Sequence, residues 1–225
     1  MPRMKKNVKE DALRTRAIAL VEALKEVYPD AACALEYDGD PWRLLVMARL
    51  SAQCTDARVN IVCRELFGKY PTCESLAEAP LEDIETIIRP CGLYHGKAVS
   101  IKESCTVLAH DMGGIVPDSM EALTALPGVG RKTANLILGD VYHQPSYVCD
   151  THCIRITGRL GITDGSKDPL QEEKQLRKVL PAEDSGSFCH RMVLFGRDTC
   201  TARRFAEQCM LPKYVQKNAA AMELY

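Results

Sequence analysis

Apolar residues recur along this chain at steps of three and four, the spacing of one face of an α-helix. The first stripe ends near Pro29 and consists of Leu13, Ala17, Leu20, Val21, Leu24 and Val27. Asp40 and Pro41 predict the N-cap and first position of a second helix, with burial of Leu44, Leu45, Ala48 and Leu50. The same periodicity predicts further helices at about 55–69, 81–88, 95–110, 118–125, 131–143, 151–160, 169–179 and 185–198.

The strict two-residue alternation of a half-buried β-strand is absent from the sequence. The connections between the predicted helices are short and contain Gly or Pro, which is typical of a compact helical assembly. The pattern therefore predicts an all-α protein. Its 225 residues are enough for one domain or for two small ones.

Composition restricts the function classes. With 29 Lys and Arg against 30 Asp and Glu, a nucleic-acid surface would have to be a local patch. The charged start MPRMKKNVKEDALRTR and the lack of a run of about eighteen apolar residues predict a cytoplasmic protein without a membrane partner. The eleven cysteines are scattered, so we expect most of them to be buried apolar residues and not disulfides.

Residues 126–135, LPGVGRKTAN, join two predicted helices by a glycine turn. Gly128 and Gly130 are expected to adopt positive φ and to allow another backbone to approach closely. The first amide groups of the following helix lack intrahelical partners and favour a phosphate oxygen. A purely structural helical hairpin is the alternative. The predicted DNA contacts here are Gly128, Val129, Gly130, Arg131 and Thr133.

The hairpin and several other motifs, taken together, resemble the endonuclease III family of helix-hairpin-helix-GPD DNA glycosylases and abasic-site lyases. Besides LPGVGRKTAN they are LLVMARLSAQCTD (44–56), CGLYHGKA (91–98), VCDTHCIRITGRLG (148–161) and HRMVLFGRDTC (190–200). The resemblance covers roughly residues 10 to 212. It implies two helical lobes with a catalytic cleft between them. Residues 34–144 would form a six-helix barrel with the hairpin, and 1–33 with 145–225 a discontinuous lobe.

The resemblance also assigns the chemistry. It implies that Lys132 attacks C1′ of a damaged nucleotide, and that Asp150 stabilises the sugar as the base departs. From the residues alone, Lys132 would be a solvated lysine and Asp150 a helix N-cap. Only a neutral amine is nucleophilic, so we expect partial burial, Arg131 and the positive helix end to favour that form.

By the same resemblance, Gln53 and Leu93 insert into the duplex when the target base leaves the stack, and His152 supports the DNA-binding site. Without it, Gln53 would be an exposed helix end and Leu93 a loop residue. The implied partner is damaged double-stranded DNA, with oxidised pyrimidines as the substrate class, and the protein is expected to act as a monomer.

The C-terminal segment departs from the family pattern. Family members commonly carry four cysteines spaced C-x6-C-x2-C-x5-C for a [4Fe–4S] cluster. Here Cys200 stands at the first position, but Glu207, Met210 and Gln216 occupy the others, and Cys209 aligns only after a deletion. Because four thiolates are needed, we expect no cofactor. The segment is instead expected to be held by packing of Phe205, Met210, Leu211 and Tyr214.

Two other functions remain open. A monofunctional glycosylase of the same fold would use Asp150 with water and would not need Lys132. A noncatalytic helix-hairpin-helix protein would bind undamaged duplex without nicking it.

Overall fold

The computed structural model describes residues 2–202, with side chains from residue 10 onward. This part of the chain contains eleven α-helices and no β-strand, which confirms the all-α prediction. The helices are α1 (Pro2–Val27), α2 (Pro41–Leu50), α3 (Asp56–Lys69), α4 (Cys73–Glu78), α5 (Leu81–Ile88), α6 (Tyr94–Asp111), α7 (Met120–Ala125), α8 (Arg131–Asp140), α9 (Thr151–Arg159), α10 (Pro169–Val179) and α11 (Ser185–Asp198).

Most of these helices lie where the apolar periodicity predicts them, but α4 was not predicted. It has only six residues, too few to display a helical period. A capping box starts it: Thr72 accepts a hydrogen bond from the backbone N–H of Ser75, and the Ser75 side chain interacts with the backbone N–H of Thr72.

The chain divides into two compact units. We call Cys33–Tyr142 the central unit, and Met1–Ala32 together with His143–Tyr225 the terminal unit. The segments expected from the sequence, 34–144 and 1–33 with 145–225, place the boundaries one and two residues away from these. The hairpin and Lys132 belong to the central unit, and Asp150 belongs to the terminal unit.

The core of the central unit forms around α2, which packs on α3, α6 and α8. The four leucine and alanine positions predicted to be buried in α2 are buried, and so are Trp42, Val46 and Met47. Asp40 precedes the helix as predicted, but its side chain makes no capping hydrogen bond. Its carboxylate instead lies 3.7 Å from Nε of Arg43.

The core of the terminal unit forms between α1, α10 and α11, with α9 packed on α11. From the predicted stripe of α1, Ala17, Leu20, Val21 and Leu24 are buried. Val27, the last residue of both the stripe and α1, is 52% exposed.

Eight of the ten cysteines in the described region are buried, and those ten are all free thiols, as expected for small apolar residues. Within the same region no helix is long and apolar enough to cross a membrane. Cys209 and the residues expected to pack the C-terminal segment, Phe205, Met210, Leu211 and Tyr214, lie outside the described residues.

Candidate active site and nucleic-acid interface

The predicted hairpin is formed by α7, a glycine turn and α8. Ser119 caps α7 by accepting a hydrogen bond from the N–H of Ala122. After Leu126, which is buried, the chain turns through Pro127 to Gly130, the N-cap residue of α8. The turn is thus fixed by a side-chain cap before it and by apolar burial within it.

Gly128 is required by the turn for two reasons. Its φ is +71°, in the left-handed region that L-residues other than glycine avoid. In addition, a Cβ at this position would lie 2.6 Å from Cβ and 2.9 Å from Oγ of Ser100, and 3.1 Å from Nε of Arg49. The expectation of positive φ holds at this glycine, whereas the groups that approach closely are the side chains of Ser100 and Arg49 and not another backbone.

Gly130 corrects the sequence prediction. Its φ is −91°, an ordinary extended conformation, and a Cβ there would meet nothing within 4 Å. Neither the backbone nor a contact with the described residues requires glycine at this position, so none of those residues fills the space beside it. Val129 also differs from a surface residue: its side chain is only 7% exposed and lies in the core of the central unit.

Arg131, Lys132 and Thr133 form the first turn of α8. Arg131 and Lys132 are exposed and Thr133 is half-buried. The first intrahelical bond runs from the N–H of Ala134 to the carbonyl of Gly130, so the N–H groups of residues 131–133 precede the helical ladder. No acidic residue lies in this turn, which therefore presents a positive end. The partial burial expected for Lys132 is not found.

Asp150 is the N-cap of α9. Its Oδ1 accepts a hydrogen bond of 2.8 Å from the N–H of Cys153, and the residue is half-buried. Capping uses one oxygen of the carboxylate, so the structural role and a chemical role are compatible. The sequence analysis considered both the capping role and the chemical role of Asp150.

His152 follows in the first turn of α9 and packs between α9 and α11. A Cβ on Gly196 of α11 would lie 2.2 Å from Nδ1 of this ring, so the glycine makes room for it. Nδ1 also lies 3.2 Å from a guanidinium nitrogen of Arg155. Burial lowers the pKa of His152, against an opposing effect of Asp150. The neutral imidazole is therefore favoured, which suits a supporting residue.

Gln53 and Leu93 share an unusual backbone. Both have positive φ, 55° and 50°, and among the described residues only two other non-glycine residues, Asp38 and His143, share this feature. Leu93 is moreover 64% exposed. A left-handed backbone is unfavourable for leucine, and such strain is typical of functional positions. The two residues predicted to enter the duplex thus lie at strained loop positions.

The sequence analysis missed a polar stripe along α6. Lys97, Ser100 and Ser104 are 1%, 8% and 1% exposed, and they lie at steps of three and four. Ser104 donates to the carbonyl of Pro127, and Lys97 donates to the carbonyls of Leu50 and Cys91. A signal was available in the sequence: Lys97, Ser100 and Ser104 are polar residues at the spacing of one helix face, in CGLYHGKA and the residues that follow it.

Cys200, the first of the positions considered for a four-thiolate cluster, lies in a buried environment next to two arginines. Cys200 is fully buried, its Sγ lies 3.4 Å from a guanidinium nitrogen of Arg159, and its carbonyl accepts a 2.6 Å bond from Arg155. Within the part of the chain that the structure describes, no three Cys, His, Asp or Glu side chains are placed to hold a metal ion. The sequence offers one further aligned thiol, Cys209, where three more ligands are needed.

Comparisons with known proteins agree with the family resemblance found in the sequence. The family model of the HhH-GPD superfamily base excision DNA repair proteins matches residues 46–182. Endonuclease III of Synechocystis is 40% identical over 200 residues, which cover 88% of this chain and 90% of the relative. Endonuclease III of Escherichia coli K12 is 37% identical over 191 residues, 85% of this chain and 90% of the relative.

Solved structures give the same result. A non-covalent endonuclease III–DNA complex is 38% identical, with a TM-score of 0.81, and covers 90% of this chain and 95% of its own. A trapped covalent endonuclease III–DNA intermediate is 37% identical, with a TM-score of 0.84, and covers 93% and 98%. With its hairpin, its lysine and its aspartate in these positions, the chain belongs to the HhH-GPD superfamily of base excision DNA repair proteins and, within it, to the endonuclease III family.

Proposed function

We propose that this protein is a bifunctional DNA glycosylase and abasic-site lyase that removes oxidised pyrimidines from duplex DNA in base excision repair. The observation that carries the proposal is the exposed Lys132 in the first turn of α8, directly after the open space beside Gly130. A phosphate bound at the amide groups of that turn, which precede the helical ladder, would bring a sugar within reach of the lysine.

In the proposed reaction, the neutral amine of Lys132 attacks C1′ and the glycosidic bond breaks. The bonding electrons leave with the damaged base, which takes up a proton. The sugar ring then opens to give a Schiff base between Nζ and C1′. Loss of a proton from C2′ eliminates the 3′ phosphate, and water releases the product from the lysine. The only covalent change to the protein is thus formation and hydrolysis of one C–N bond.

Asp150 is proposed to stabilise the positive charge that develops on the sugar as the base departs, and to help move protons. Its orientation is supported by the hydrogen bond from the Cys153 N–H. His152, held against Gly196, supports this part of the site and does not react.

DNA binding is proposed to use two kinds of contact. Gly128, Gly130 and the first turn of α8, with Arg131 and Thr133, bind the phosphate backbone without reading bases. Gln53 and Leu93 fill the space left by the extruded base. Val129, whose side chain is buried, contributes to the turn and not to a side-chain contact.

We further propose that the protein works without an iron–sulfur cluster, as a monomer in the cytoplasm. The cofactor proposal is supported by the two aligned thiols, Cys200 and Cys209, and by the contacts that Arg155 and Arg159 make with Cys200. An absorption band near 400 nm that rises with bound iron in the purified protein would overturn it.

The proposed function is tested by trapping with borohydride on three duplexes that carry thymine glycol, an abasic site, or adenine opposite 8-oxoguanine. We expect the wild-type protein to form covalent complexes with the first two, and Lys132→Ala to form none while still binding. Base removal from the adenine duplex without trapping would indicate a monofunctional glycosylase. Equal binding to undamaged duplex, with no nicking of any substrate, would indicate a noncatalytic protein.

A further inference from the structure

Lys97 is a buried lysine outside the proposed chemistry. It is 1% exposed, and its ammonium donates to the carbonyl of Leu50 at 2.8 Å and to that of Cys91 at 3.0 Å. Lysine is almost never fully buried unless its charge is compensated. Removing this ammonium would leave two buried carbonyls without the partner that now binds them both.

The two carbonyls lie at the bases of the two strained loops. Leu50 is the last residue of α2, three residues before Gln53. Cys91 ends a 3₁₀ turn, two residues before Leu93. A single ammonium therefore joins the starting points of the two loops that carry Gln53 and Leu93.

The same face of α6 also contacts the hairpin. Ser104 donates to the carbonyl of Pro127, and Ser100 lies under Gly128 while its Oγ accepts a 2.8 Å hydrogen bond from Nε of Arg49. One helix of the central unit thus positions the Gln53 loop, the Leu93 loop and the glycine turn.

We propose that Lys97 is a positioning residue that holds the Gln53 and Leu93 loops in one rigid frame, so that both side chains enter the base stack together. This inference rests on the proposed function, since it concerns the step in which the target base leaves the duplex. Two loops that were ordered separately would each lose conformational freedom on binding, whereas loops already joined avoid most of that cost.

The chain offers a matched control on the same helix. The ammonium of Lys102 donates to the carbonyls of Ala77 and Ala79, both at 2.6 Å, at the end of α4. Lys97→Met and Lys102→Met therefore each delete one ammonium and its bonds to two carbonyls. Only the first of these substitutions affects the loops of Gln53 and Leu93.

The experiment compares borohydride trapping on an abasic site in duplex and in single-stranded DNA, at single turnover. A single strand has no stack to open, so it reports the chemistry of Lys132 alone. For Lys97→Met we expect the duplex rate to fall about tenfold or more and the single-strand rate to stay within about twofold of wild type. For Lys102→Met we expect the ratio of the two rates to be unchanged.

A second measurement needs no chemistry. A 2-aminopurine opposite a tetrahydrofuran abasic site becomes more fluorescent when it is unstacked, and we expect wild type and Lys132→Ala to increase this signal, but Lys97→Met to increase it much less. If trapping fails in the wild type while this signal still depends on Lys97, the proposed function fails and the positioning role stands.

The positioning role would be overturned if the ratio of duplex rate to single-strand rate were unchanged in Lys97→Met. It would also be overturned if this ratio fell equally in Lys102→Met. Should Lys97→Met not fold, Lys97→Gln decides the question, because its shorter, uncharged side chain keeps a polar NH2 group in place of the ammonium. We expect its rate ratio to fall about threefold or more. A wild-type ratio in that variant would overturn the proposal equally.

Discussion

Gly128→Ala is expected to lower stability and Gly130→Ala to lower DNA affinity, although only Val129 separates the two glycines in the same turn. At Gly128 the φ of +71° costs an L-residue about 1–2 kcal/mol. The new methyl group would also lie 2.6 Å from Cβ of Ser100, on the buried face of α6. Overpacking of this kind costs about 1–3 kcal/mol.

These terms are partly offset because alanine has less conformational freedom than glycine in the unfolded chain, by about 0.4–1 kcal/mol. We therefore expect Gly128→Ala to lower the free energy of unfolding by about 1–5 kcal/mol. At Gly130 the extended backbone accepts alanine without strain, and the loss of a good N-cap residue roughly cancels the entropic gain. Its stability is expected to stay within about 1 kcal/mol of wild type.

DNA affinity, in contrast to stability, is expected to fall because of the change at Gly130. A methyl group at position 130 occupies the open space beside the first turn of α8, so we expect Gly130→Ala to bind an abasic duplex about tenfold more weakly. Urea unfolding gives the stabilities, and fluorescence anisotropy gives the affinities. Equal destabilisation of the two variants, or full affinity in Gly130→Ala, would refute this account of the turn.

Three further predictions concern titratable groups. Desolvation raises the pKa of the buried Glu172, whose Oε2 has no hydrogen-bond partner among the described residues, so ionisation destabilises the fold increasingly as pH rises above about 4.5. Glu172→Gln should therefore gain stability relative to wild type as pH rises above about 4.5, measured by urea midpoints; a difference that does not change with pH would contradict this. Asp150→Asn should keep the cap of α9 within about 0.5 kcal/mol but lose base excision by about a hundredfold or more, whereas retained excision would exclude a role for the charge. Burial raises the pKa of Cys33 to about 12, so alkylation of native protein at pH 8, followed by peptide mass spectrometry, should label it at least about a hundredfold more slowly than in urea.

The helices were predictable because burial imposes a period on the sequence. The stripe of α1 and the start of α2 at Pro41 follow directly from apolar spacing and proline geometry. The six residues of α4 are too short for any period, and the end of a stripe, as at Val27, does not reveal where the covering helices stop.

The candidate site was only partly predictable. Motif resemblance locates Lys132 and Asp150, but sequence does not distinguish Gly128 from Gly130, since the difference lies in the neighbours of a missing Cβ. The left-handed backbone of Leu93 is opposed by local propensity and is imposed by the surrounding structure. Burial of Lys97 is likewise a tertiary property, because lysine by itself favours water.

The hydrogen bond that orients Asp150 comes from a main-chain N–H, that of Cys153. No replacement of a side chain deletes such a donor, apart from proline at position 153. The orientation of the Asp150 carboxylate is therefore determined by the backbone of α9. Exchange of a neighbouring side chain therefore leaves this hydrogen-bond donor to Asp150 in place.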